Sequence, residues 1–146
     1  LIYKMMKKFL VYFTVLVGMV SFAQTGAKIE FKEETINYGE VEKGKDDGIR
    51  IFEFTNTGDA PLTIINAKSS CGCTVPEWPK EPIAPGKKGK IKVQYNMNPG
   101  PISKTITIES NAVNQQNGMV ALRIKGNVVV KEEVSPLLKK KGFPNS

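Results

Sequence analysis

The chain has 146 residues, 40% of them hydrophobic and 24% charged, with a formal net charge of +7. That is one domain with enough apolar content to bury a core, too short for a two-domain enzyme and too apolar for a disordered chain. With no histidine and only two cysteines, it excludes Ser-His-Asp and Cys-His catalysis, every histidine-containing metal site, a four-cysteine zinc site and a multi-disulfide scaffold.

Lys7 and Lys8 precede residues 9–23, a run without a charge that ends in Ser21-Phe22-Ala23. A basic start, an apolar centre and a small-x-small end predict a cleavable signal peptide over residues 1–23, with the true start at Met5 or Met6. The alternative is a membrane anchor. Fifteen residues rise only about 22 Å as a helix, against a hydrocarbon core of about 30 Å. No cysteine follows the apolar run, so a lipid anchor is not expected there. Lys4, Lys7 and Lys8 leave with the segment, and the mature chain is then only mildly basic. The expectation is an exported protein of the periplasm or cell surface, with no membrane span after cleavage and no nucleic-acid partner.

The rest reads as strands and turns, with no sustained helical period. Ile29-Glu30-Phe31 and Ile36-Asn37-Tyr38 alternate apolar and polar. Residues 49–55 form a strand with Phe52 and Phe54 on one face. Asn56-Thr57-Gly58-Asp59-Ala60-Pro61 is a turn, supplying residues that tolerate positive φ and one that fixes it. Residues 62–67 follow as a strand, with Leu62 and Ile64 inward. Residues 69–85 hold both cysteines, four prolines and the single tryptophan, and are expected to be mostly irregular. Residues 90–95 put Ile91, Val93 and Tyr95 inward. Asn98-Pro99-Gly100-Pro101 is a turn. Residues 103–109 turn Ile106 and Ile108 inward, and Val120, Leu122 and Ile124 alternate in a last strand that residues 128–130 extend. Residues 131–146, with Lys139-Lys140-Lys141, form a flexible basic tail. About seven short strands predict an all-β, single antiparallel Ig-like β-sandwich over residues 24–130, held by aliphatic packing.

Phe52-Glu53-Phe54-Thr55-Asn56-Thr57-Gly58-Asp59-Ala60-Pro61-Leu62-Thr63-Ile64, then Ser70-Cys71-Gly72-Cys73-Thr74, then Pro82-Ile83-Ala84-Pro85-Gly86 before Ile91-Lys92-Val93 make a recognisable order. It resembles the bacterial domain-of-unknown-function family numbered 1573, small exported proteins that resemble in turn the Ig-like domains of the major sperm protein and hydin. The resemblance implies the sandwich and the export signal, and it implies no activity.

Cys71-Gly72-Cys73 is the one reactive-looking feature. In an extended strand the two Cα atoms stand about 6.6 Å apart, near the upper limit for a disulfide, and Gly72 is expected to let the backbone bend and close the gap. Four readings stay open: a structural disulfide or buried pair, a redox dithiol, a two-thiolate Cu(I) site with help from Met97 or Met119, and an intermolecular bridge. Trp78, in Glu77-Trp78-Pro79-Lys80, is either an exposed binding anchor or a lid on the core or the cysteines. Gly86-Lys87-Lys88-Gly89-Lys90 lacks the spacing and the Ser or Thr of a phosphate loop and precedes a strand, so it reads as a hairpin entry. Glu33-Glu34, Asp46-Asp47 and Glu132-Glu133 are adjacent pairs; strand neighbours point to opposite faces and make no acid/base couple. Asp46-Asp47-Gly48 offers at most weak calcium ligation.

The sequence therefore predicts a non-enzymatic binding or scaffolding module of the bacterial envelope. Its binding residues are Cys71, Gly72, Cys73 and Trp78, it needs no cofactor, and its partner is another envelope protein or a surface polymer. A partner strand adding to an exposed sheet edge is a further expected route. The alternative is a thiol redox or Cu(I)-binding protein using Cys71 and Cys73.

Overall fold

Side chains two residues apart share one face of a strand, and this rule sorts the core. The computed structural model describes residues 2–6, 8 and 25–132. The apolar run expected to be a signal, residues 9–23, and the end of the basic tail, residues 133–146, lie outside the described residues. No helix among the described residues is long and apolar enough to cross a membrane.

Eight strands follow in chain order: β1 (Ile29–Phe31), β2 (Thr35–Glu42), β3 (Ile49–Asn56), β4 (Ile64–Ser69), β5 (Thr74–Glu77), β6 (Lys88–Tyr95), β7 (Gly100–Ser110) and β8 (Met119–Val129). They form two four-stranded sheets, β1-β3-β6-β5 and β2-β8-β7-β4. The two inner faces enclose one core. Phe52, Leu62, Ile91, Val93, Ile106, Ile108 and Leu122 are fully buried; Phe54, Ile64 and Ile124 are nearly so. All ten are side chains that the alternation selects, as are Tyr95 and Val120, which are buried too. Ala27, Ile29, Tyr38, Val41, Ala67, Met97, Ile102, Ala112 and Val128 complete the core. Gly89 is small because Phe54 needs the space: a Cβ there would overlap the Phe54 ring.

The architecture is the expected sandwich, with three refinements. The eighth strand is β5, inside the proline-rich segment expected to be irregular. Leu62 lies outside β4, in an isolated bridge to Ile83, yet keeps its place in the core. Not every pair is antiparallel: β2 runs parallel to β8, with its register interrupted between Asn37 and Glu40. Gly39, at φ 68, takes the left-handed conformation in that interruption, which glycine adopts without steric cost.

β7 also starts earlier than expected, at Gly100 rather than after Pro101. Its partner β4 covers only the stretch from Ile106 to Ser110, so Pro101 sits where one side of β7 is open. A residue without an N–H is tolerated at such an edge.

Candidate functional site

The turn from β4 to β5 carries the chain from the edge of one sheet to the edge of the other. Both of its ends are tied down. Ser70 N donates to Thr105 O at 2.9 Å, and Thr105 N donates to Ser70 Oγ at 3.3 Å. Cys71 N donates to Ser69 Oγ at 3.3 Å, and Asn96 N donates to Cys73 O at 2.9 Å. Between these anchors Cys71 and Cys73 form a disulfide, with their Cα atoms 5.4 Å apart. That lies inside the range disulfides span, so the turn has closed the gap an extended strand would leave.

Gly72 does not act as expected. It is exposed, its φ is not in the left-handed region, and a Cβ built on it meets nothing within 4 Å. The bend is set by the disulfide and the flanking hydrogen bonds rather than by glycine's freedom. Both cysteines are half-buried. Cys73 packs against the margin of the core, and next to it Thr74 is buried, with Oγ1 4.0 Å from Cys73 Sγ.

Trp78 follows one residue after β5. It is half-buried and packs against the core, with Lys80 Nζ 3.2 Å from its ring centroid. The structure thus brings Cys71, Gly72 and Cys73 into one turn and sets Trp78 on the core margin under a cation. Sequence reasoning missed Thr74, the buried neighbour of Cys73, and Val75, which is 57% exposed on β5. The Thr74 hydroxyl had a signal, its place directly after Cys-Gly-Cys; Val75 had none.

The sheet edges bear on the same site. Cys73 O is bonded toward Asn96, so by antiparallel alternation Val75 and Glu77 also face β6, while Thr74 and Pro76 turn their backbone groups to the open side. Pro76 has no N–H to offer there. On β4 the same reasoning turns Ala67 outward, and its N–H is taken by Asn66 Oδ1 at 2.9 Å. On β1, Asn114 satisfies both backbone groups of Ile29, accepting from its N at 3.0 Å and donating to its O at 2.9 Å. These edges are blunted against a partner's strand.

Elsewhere the polar clusters are occupied by structural work. Asp46 pairs with Arg50 through both carboxylate oxygens, at 3.1 and 2.8 Å, and also accepts from Gly48 N at 2.8 Å. The Arg50 side chain beside it holds the Asp46 carboxyl below the usual range. The guanidinium lies 4.0 Å over the Tyr38 ring, and Tyr38 OH donates to Gly48 O at 2.8 Å. Burial pushes Tyr38 up to about 12, although Arg50 pulls the other way. Asp47 accepts from Ile49 N at 2.9 Å. The acidic pair therefore builds the turn into β3 rather than a cation loop. No group of three or more His, Cys, Asp or Glu able to hold a metal occurs among the described residues. Joined to each other, Cys71 and Cys73 offer no thiolate to Cu(I).

Similar solved structures share the fold. One is a protein of unknown function from Porphyromonas gingivalis W83, with a TM-score of 0.61 and 14% identity, covering 74% of this chain and 50% of that one. The chain therefore spans half the length of that protein. Another is the ASH/PapD-like domain of human CEP192, with a TM-score of 0.54 and 12% identity, covering 72% of this chain and 87% of that domain. At such identities the likeness establishes an Ig-like sandwich and nothing about activity. No curated protein matches the chain. Residues 29–128 match a family described as protein of unknown function (DUF1573).

Proposed function

The chain belongs to the DUF1573 family, and on that premise we propose that it is a non-enzymatic binding module of the bacterial envelope. Its recognition element is the stapled turn from β4 to β5. The observation that carries this reading is the turn's construction: a disulfide and four hydrogen bonds hold a surface turn whose Gly72 is exposed, with Val75 exposed just beyond it on β5. A loop ordered in advance loses little conformational entropy on binding. The partner is another envelope protein or a surface polymer. Export rests on Lys7, Lys8 and the uncharged run that ends in Ser21-Phe22-Ala23. The blunted edges favour contact through turn side chains over strand addition, and the absence of histidine leaves catalysis without its commonest proton carrier.

The test is cross-linked capture from native envelope, comparing the wild-type chain with Val75→Asp and Gly72→Arg. Both positions face solvent, so the variants should melt as the wild type does while losing the captured partner. Unchanged capture by both variants would remove the turn from recognition.

A second reading, thiol–disulfide exchange at Cys71 and Cys73, is favoured by one observation: the disulfide lies in a surface turn with both residues only half-buried. An insulin-reduction assay together with Cu(I) titration of the reduced chain separates it from the first. Catalytic exchange, or stoichiometric copper binding lost in Cys71→Ser/Cys73→Ser, would favour the cysteines as the functional groups.

A further inference from the structure

We propose that the Cys71–Cys73 disulfide is a polarised modification site: a solvent alkyl thiolate attacks Cys71 Sγ, and Cys73 leaves as a thiolate held by the Thr74 hydroxyl. The inference rests on the second reading above and adds the direction of the reaction.

Exchange at a disulfide requires the incoming sulfur, the attacked sulfur and the leaving sulfur to lie roughly in line. Attack on Cys73 would have to come from the side of Cys73 Sγ opposite Cys71. Cys73 packs against the core margin. Cys71 is not among the side chains packed on the core, and it precedes the exposed Gly72. The solvent side of the disulfide is therefore the Cys71 side.

The leaving group points the same way. Thr74 is only 3% exposed, and its hydroxyl has one hydrogen-bonding contact among the described residues, Cys73 Sγ at 4.0 Å. A disulfide sulfur is a poor acceptor. A thiolate is a strong one, and a bond to an ionised group is about twice as strong as a neutral one. The hydroxyl is thus in place for a charge that exists only after the S–S bond breaks at Cys73. Nothing comparable stands beside Cys71, whose neighbour Ser69 Oγ already accepts from Cys71 N at 3.3 Å.

The step balances without an external oxidant or reductant. The Cys71–Cys73 bond breaks, a bond forms between the alkyl thiol sulfur and Cys71 Sγ, and the bonding pair goes to Cys73 Sγ. The reverse is attack by the Cys73 thiolate on Cys71, which expels the alkyl thiolate. A second thiolate attacking the added sulfur instead releases the Cys71 thiolate and a dialkyl disulfide, leaving the protein as a dithiol.

The test uses the full oxidised chain and reduced glutathione at mildly alkaline pH, quenched with iodoacetamide and mapped by fragment mass spectrometry. The expected product carries glutathione on Cys71 and the alkyl tag on Cys73. The reverse assignment, or an even mixture, overturns the polarity and leaves thiol exchange standing. An adduct that forms only in denaturant overturns both. Thr74→Val, which keeps the buried shape, should slow native exchange about tenfold, the order expected for one hydrogen bond to an ionised group, and Thr74→Ser should restore it. Equal rates for wild type and Thr74→Val would remove the hydroxyl from the step.

Discussion

Replacing Asn56 with alanine should destabilise the domain more than any other polar substitution. Asn56 ends β3 and is fully buried. Its amide makes four hydrogen bonds: Oδ1 accepts from Gly58 N at 3.0 Å and Lys28 N at 3.3 Å, and Nδ2 donates to Ala60 O at 2.8 Å and Ile83 O at 2.9 Å. One side chain thus joins the strand end, the following turn, the approach to β1 and the bridge at Ile83. Each bond contributes about 1 kcal/mol net, and a buried group left without a partner costs more, so Asn56→Ala should lose about 4 kcal/mol. That is a large share of the roughly 5–15 kcal/mol a domain possesses. In urea, with a slope of about 2 kcal/mol/M, the midpoint should fall by about 2 M. Asn56→Asp is the matched variant: it keeps the acceptor oxygen with its two bonds, removes the Nδ2 donor and sets a carboxylate against two carbonyls, so it too should be strongly destabilised. A loss below about 1 kcal/mol in both variants, at unchanged slope, would refute the view that this amide organises the turn.

Gly72→Ala should change stability by less than about 0.5 kcal/mol, as measured by urea unfolding, because a Cβ there meets open space at an ordinary φ. Pro76→Thr should restore a donor to the open side of β5 and promote strand-mediated self-association; sedimentation of wild type and variant across concentration is the measure, and a strictly monomeric variant would show the edge is closed by something else. Tyr38, pushed up to about 12 by burial, is an acid that keeps its proton longer in the folded state than in the unfolded chain, where it titrates near 10. Its contribution is therefore full below about pH 10 and is lost as the pH rises toward 12, since the unfolded state gives up its proton first. Urea unfolding across that window should show a steeper decline for wild type than for Tyr38→Phe.

What local pattern encodes, the sequence made legible. Phe52 and Phe54, Ile91 and Val93, Ile106 and Ile108, Leu122 and Ile124 alternate with polar neighbours, and a period of two has one structural meaning when a face must be buried. The cysteine pair was legible as a feature, because two residues spaced by one can meet only through a bend. β5 was not. Its Pro76 reads as a strand breaker, and only its place on an edge, with the missing donor turned outward, makes the residue compatible with pairing. The parallel pairing of β2 with β8 was hidden too, since strand direction across a sandwich depends on where the chain crosses between sheets. Asn56 read as one turn residue among several. Its weight comes from Lys28 and Ile83, which are distant in sequence and adjacent in space.

The edges of both sheets are closed against an added strand. A four-stranded sheet ends in two strands with unpaired backbone groups, and two such sheets give four places where a foreign strand could add. Here β5 withholds a donor through Pro76, β4 folds Asn66 Oδ1 onto its own Ala67 N–H, and β1 is capped by the Asn114 amide. β2 is interrupted at Gly39, whose N–H goes to Asn37 Oδ1 at 2.9 Å. Each device spends a side chain or a backbone group on closing an edge and leaves the outer faces largely polar. What remains both ordered and distinctive is the crossover where β4 hands the chain to β5. It sits outside both ladders, so its side chains are free of the alternation that buries every second residue elsewhere. Its shape is held by a covalent bond and flanking hydrogen bonds, with Cys73 packed on the core margin. On the proposed reading this turn is what a partner meets, and a thiol that changes the bond changes what the partner meets.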